Sequence, residues 1–248
     1  MISELGLASP VDMLPGGGSE IMISVKDITV SGIKKDSLKE DLPELYELQK
    51  VVERSAWHQD WSVLDHTLAV MDQLQQVMDG APEKVSKYLN EKVEKHTRRE
   101  LLMVVGMLHD IGKKETIKEV GDEIRCPGHE DRGALKAQVL LPKFDLTEAE
   151  QAIVVELIKH HGHVHDIITP GNTERDVQLG ALKKAAPHLF WMLLVFCQAD
   201  TMGSQLQKTI PIEYHKRIDF YKKAVAGFDL ISKEKKKSSE EETSEHSE

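Results

Sequence analysis

Aromatic residues and cysteines are both scarce in this sequence, and that narrows its class. Phe, Trp and Tyr make up 5% of 248 residues, so a core must be assembled mainly from Leu, Val, Ile, Met and Ala. Only two cysteines occur, Cys126 and Cys197, in separate segments and in no CxxC pair. They read as reduced thiols of a cytosolic protein, not as a disulfide framework. Long apolar runs are missing: the longest, around Leu101–Leu108 and Leu189–Cys197, fall far short of the ~20 residues that cross a bilayer. The N-terminus carries Glu4 and no basic region, so no secretion signal is expected and the expected location is cytoplasmic. Basic excess is absent too, since 32 Lys and Arg face 42 Asp and Glu for a net charge of −10. The overall field therefore offers nothing to nucleic-acid backbone or to an anionic membrane, although a locally cationic metal pocket could still take a phosphate. No internal repeat is visible.

What is present is enough chain for one globular domain of roughly 180–200 residues with looser ends. Residues 1–40 read as a short, irregular, partly extended N-terminal arm. Pro10, Pro15 and Gly16-Gly17-Gly18-Ser19 punctuate it, and Ile21–Ile33 alternates loosely, as one or two short strands would. From Leu42 the pattern turns helical, with Leu45, Leu48, Val51 and Val52 at helix spacing. The domain is expected over 41–231. Beyond it, 232–248 is mostly Lys, Ser and Glu with no apolar residue, the composition of a disordered tail.

In the centre, helical spacing turns sequence into geometry. Val63, Val70, Leu74 and Val77 mark one face of a helix over Val63–Met78, and His66 falls on that face. Leu101, Val105 and Leu108 mark the buried stripe of Glu100–Asp110, which delivers His109 and Asp110, with Gly112 as the helix stop. A third helix opens at Thr147, where Glu150 completes a capping box, and its apolar stripe brings His160 and His161. A fourth, apolar nearly all round, starts near Pro187 and ends at Asp200. His129 lies between these helices. Taken singly, a histidine on an apolar face is commonly a hydrogen-bonded core residue, and Asp200 could be a cap or an arginine's partner. An unpaired carboxylate there is costly to bury, however. Four apolar helices that each turn a potential metal ligand inward point instead to a metal-dependent hydrolytic centre.

The order His66, His109-Asp110, Asp200 resembles the H…HD…D signature of the HD-domain metal-dependent phosphohydrolases. The longer stretches Asp65-His66-Thr67-Leu68, Met107-Leu108-His109-Asp110-Ile111-Gly112-Lys113, Gly128-His129-Glu130, Ile158-Lys159-His160-His161 and Ala199-Asp200 are most similar to the HD domain attached to bacterial CCA-adding tRNA nucleotidyltransferases and to stand-alone HDIG proteins. The likeness spans about Trp57 to Gly203. It does not extend to a nucleotidyltransferase domain: Gly18-Ser19 is followed, within Glu20–Val30, by Asp27 alone. CCA addition is therefore not expected.

The resemblance implies an all-α helical bundle, bound divalent metal and hydrolysis of phosphate esters, often of nucleotides. It assigns His66, His109, Asp110 and Asp200 to a first ion. His129 and His160, with or without His161, would hold a second ion bridged by Asp110. Imidazole-rich ligation favours Mn, Fe, Co, Ni or Zn over Mg. A metal-activated hydroxide would attack phosphorus, with Lys113 and, more weakly, Arg132 as cations for the phosphoryl oxygens. The expected partner is a small phosphorylated molecule, a nucleotide first; no feature demands a dimer. His163 and His165 are expected in an exposed loop, His58 has no supporting pattern, and Trp57 and Trp61 could stack on a base or brace a helix. Two other classes stand beside the hydrolase: an HD-fold di-iron oxygenase, and a regulatory module that binds a nucleotide without turnover. Metal content and colour separate the first, phosphate release the second.

Overall fold

A computed structural model describes residues 22–227; the Gly-rich segment before them and the charged tail after them lie outside the described residues. The architecture is helical, as expected. Short helices α1 (Val30–Lys34) and α2 (Pro43–Glu47) lead into the hairpin β1 (Val52–Glu53) and β2 (Trp61–Ser62). Then follow α3 (Val63–Asp79), α4 (Glu83–Asn90), α5 (Arg98–Leu108) and α6 (Lys113–Thr116). A second antiparallel hairpin, β3 (Lys118–Val120) and β4 (Glu123–Arg125), precedes α7 (His129–Leu140), α8 (Glu148–Ile167), α9 (Arg175–Ala185), α10 (Phe190–Gly203), α11 (Leu206–Thr209) and α12 (Pro211–Ala226). Among the described residues, no helix is long and apolar enough to cross a membrane.

Local chemistry sets the helix starts. The Ser62 side chain accepts the Asp65 N–H at the head of α3, and capping boxes Thr97/Glu100 and Thr147/Glu150 open α5 and α8. Glu150 does more than cap. Fully buried, its carboxylate also accepts the Lys95 and His96 N–H groups and meets His96 Nδ1 at 3.0 Å, which ties the α4–α5 connection to α8. Helix α10 lies in the middle, buried along almost its whole length, and α3, α5, α8 and α12 pack against it.

Two glycines fix the crossings that matter for the site. A Cβ on Gly203 would lie 2.7 Å from the Val70 backbone nitrogen, so α10 and α3 touch backbone to backbone. One turn away on each helix stand Asp200 and His66. Gly203→Ala is expected to destabilise the protein by about 1–3 kcal/mol, the usual scale for overpacking. A urea midpoint shift without a change of slope would register it. Gly112 plays the same part against α7, where a side chain would collide with the Gly133 and His129 backbone. It is thus a close-approach residue; α5 already ends at Leu108, capped by His109.

Residues 22–40 depart from expectation. They form a 3₁₀ turn at Val25–Asp27 and helix α1, with one β-bridge, Ile23 to Phe144, in place of a strand or an extended arm. Ile23, Val25, Ile28, Ile33 and Leu38 are buried in the main core, and the Val25 N–H donates to Asp145 Oδ1 at 2.9 Å. The alternation reported burial correctly but not conformation, because a 3₁₀ turn can also bury residues two and three apart without a ladder partner.

Candidate metal centre

Six side chains meet where the helices converge. His66 comes from the first turn of α3, His109 and Asp110 from the end of α5, His129 from the start of α7, His161 from the middle of α8 and Asp200 from α10. Their donor atoms form two groups, His66/His109/Asp200 and Asp110/His129/His161, and within each group the donors lie within 4.8 Å of one another. Asp110 joins them: its Oδ1 is 3.3 Å from His129 Nε2, and its Oδ2 is 3.2 Å from His109 Nε2 and 3.6 Å from His66 Nε2. His66 Nε2 also meets Asp200 Oδ1 at 3.1 Å.

The histidine tautomers are set by the helices that carry them. Nδ1 of His109, His129 and His161 faces the carbonyl oxygen of Gly106, Cys126 and Ile158, at 3.0, 2.9 and 2.6 Å. A carbonyl only accepts, so each Nδ1 carries its proton and, in the neutral ring, Nε2 presents a lone pair inward. His129 Nε2 and His161 Nε2 then face each other at 3.3 Å. Two lone pairs in that arrangement repel unless a cation lies between them and Asp110. His109 Nε2 is buried without a hydrogen bond of its own, 3.2 Å from Asp110 Oδ2, which meets the Lys113 ammonium at 3.0 Å. The donor set fits divalent metal, with imidazole-rich chemistry that suits the later first-row ions better than Mg.

The electrostatics agree. Burial alone would push the Asp110 carboxyl up, but His109, Lys113 and His129 outweigh it and hold it well below its ordinary value. Asp200 behaves alike: burial is outweighed by hydrogen bonds with His165, at 2.8 Å, and His66. Burial, with His129 and His109 nearby, pushes His161 down to about 3, so its ring is neutral. Burial opposes a charge on His109, yet Asp110 and Asp200 prevail and raise its affinity for a proton. A divalent cation would meet the same attractive field.

Several expected residues lie elsewhere. His160 faces away from the centre, half-buried, 3.3 Å from Glu156 one turn earlier. Neighbours on a helix point about 100° apart, so His160 and His161 cannot both face inward. Arg132 is exposed and does not line the cleft, because Gly133 takes the inward position on α7. Lys113 does line the cleft, but its ammonium is buried between Glu53 Oε2 at 2.8 Å and Asp110 Oδ2 at 3.0 Å. These carboxylates outweigh burial and keep it charged. Segment 162–165 is no loop, since α8 runs through it to Ile167. His163 is exposed there. His165, one turn beyond His161, instead orients Asp200 and meets the Tyr221 hydroxyl at 3.3 Å.

Glu53 and His58, from the first hairpin and its loop, complete the wall. His58 Nε2 accepts from Lys113 at 3.0 Å, and burial together with Lys113 and His66 holds His58 well below its ordinary value. Gln59 and Asp60 adopt left-handed backbone, which turns the chain sharply after His58. Trp57 lines the cleft, with His165 at its edge and Arg217 against its ring, whereas Trp61 does not line it. The cleft measures about 530 Å3.

An all-helical domain that draws four histidines and two aspartates to its centre from five helices is a metal-binding domain. Residues 63–189 match the family model described as HD domain, half of the chain. The chain belongs to that family, whose superfamily comprises metal-dependent phosphohydrolases. Asp200, Glu53, His58 and Tyr221 lie outside the matched residues and are joined to the centre by the fold.

Proposed function

We propose that this protein is a metal-dependent phosphohydrolase that cleaves a phosphomonoester or phosphodiester of a nucleotide or a related small molecule. One observation carries the reading: the convergence of the ring nitrogens of His129 and His161, 3.3 Å apart, with Asp110 Oδ1, 3.3 Å from His129. Residues His66, His109 and Asp200 would hold one divalent ion, and Asp110, His129 and His161 a second. Bound there, the ions would supply Lewis acidity and an acidified water. Asp110, kept ionised by His109, Lys113 and His129 against its burial, would face both ions. Lys113 acts as a positioning residue, fixing the Asp110 carboxylate against Glu53, and His165 does the same for Asp200. The cleft suits a small organic phosphate, with Trp57 as an apolar wall. Within the superfamily, the resemblance of its motifs to those of the HD domains of CCA-adding enzymes and stand-alone HDIG proteins, and a cytoplasmic location, are part of this proposal.

The His-rich donor set in two adjoining groups would also suit two irons, which keeps a di-iron oxygenase as the second reading. A complete ligand set disfavours a non-catalytic nucleotide-binding module. Metal-stripped protein reloaded with Mn, Co, Ni, Zn, Fe or Mg would be assayed for phosphate release from nucleotides, cyclic nucleotides and bis-p-nitrophenyl phosphate. Turnover with at least one ion and none with stripped protein is the expected result. Iron retained through purification, coloured protein and no phosphate release with any ion would overturn the proposal and favour the oxygenase.

A further inference from the structure

The charge around the cleft bears on which phosphate it can accept. Its lining carries six carboxylates, from Glu53, Asp110, Glu123, Glu130, Asp166 and Asp200, against two cations, Lys113 and Arg125. Both cations are already engaged. Lys113 is held between Asp110 and Glu53, and Arg125 is paired with Glu123 two residues away on the β3–β4 hairpin. The acid at Glu130 has been given room: a side chain at Gly162 would collide with its carboxylate. Counting these groups alone, four negative charges go unmatched. Two divalent ions would balance them and leave little surplus for a long anionic chain. Sites for polyphosphates ordinarily add Lys, Arg or arrays of backbone N–H groups along the phosphates. Here the outer wall offers Glu123, Glu130 and Asp166 instead.

We infer that this cleft selects organic phosphates with a single phosphoryl group, a monoester or a simple or cyclic diester, over nucleoside triphosphates. The inference rests on the phosphohydrolase reading above. A single phosphate needs only the ions to receive its charge. A triphosphate bound through one end must carry its remaining phosphates past those carboxylates, with no unpaired Lys or Arg among the described lining residues to receive them.

The test compares adenosine 5′-monophosphate with adenosine 5′-triphosphate, which share base and sugar and differ only in phosphate. Binding would be measured by calorimetry on manganese-loaded protein, with free manganese buffered equally in both arms, and phosphate release would be followed in parallel. The monophosphate is expected to bind at least about tenfold more tightly, 1.4 kcal/mol. Raising the salt concentration should narrow the gap through screening. Glu123→Gln, which releases Arg125, and the double change Glu130→Gln/Asp166→Asn should each narrow it by about threefold, the scale of one partly exposed charge contact. Equal or tighter triphosphate binding would overturn the inference, as would a gap unmoved by salt and by both variants. A monophosphate preference without turnover of any ester would support the charge selection while counting against hydrolysis.

Discussion

Asp110→Ala is expected to remove metal from both groups at once and to lower metal-dependent phosphate release on the order of 10³-fold, several kcal/mol of barrier. The reason is position. Of the six converging side chains, Asp110 is the one whose two oxygens face both groups, with His129 at 3.3 Å on one side and His109 at 3.2 Å on the other. Elemental analysis of protein dialysed against limiting manganese should fall from two ions toward none. Stability has its own sign. The folded Asp110 carboxyl is held well below its ordinary value, so its contribution is full above the unfolded value of about 3.9 and is lost as pH falls through the folded one. At neutral pH the metal-free Ala variant therefore lacks that contribution, and a lower melting temperature than metal-free wild type is expected. Asp110→Asn, of nearly equal volume, separates lost charge from lost packing. Metal content unchanged in both variants, or phosphate release within tenfold of wild type in Asp110→Ala, would take Asp110 out of the centre.

The sequence disclosed helices better than it disclosed what their side chains meet. Apolar spacing placed His66, His109 and Asp200 on buried faces, and the structure brings those three together. Thr147 and Glu150 were readable as a capping box because that signal lies within four residues. His160 and His161 were not separable by the stripe of Ile153, Val154, Leu157 and Ile158. Each follows an apolar position by one turn, and only the packing angle of α8 decides which faces inward. His165 carried a usable signal, four residues after His161 on one face, although it was expected in an exposed loop. Gly162 between them makes room for the Glu130 carboxylate. Nothing local could reveal Glu53 and His58, because a hairpin docked across the end of the bundle brings them to Lys113. For the same reason Lys113 looked like an unpaired cation in sequence and is a buried ion-pair partner in the fold.

The two adjacent histidines of α8 give a sharp experiment, since they differ only in the face they occupy. His161→Ala is expected to lose the ion of the Asp110/His129/His161 group and to reduce phosphate release by about 10²–10³-fold, the scale of removing one charge-stabilising element from a reaction centre. His160→Ala removes a half-exposed pair with Glu156 and should leave activity within about twofold of wild type, in keeping with the small worth of such i,i+4 contacts. His161 is held down to about 3 by burial and by His129 and His109, so it offers an unprotonated Nε2 throughout the neutral and mildly acidic range. Equal losses of activity in His160→Ala and His161→Ala would contradict the inward assignment of His161, and with it the second ion.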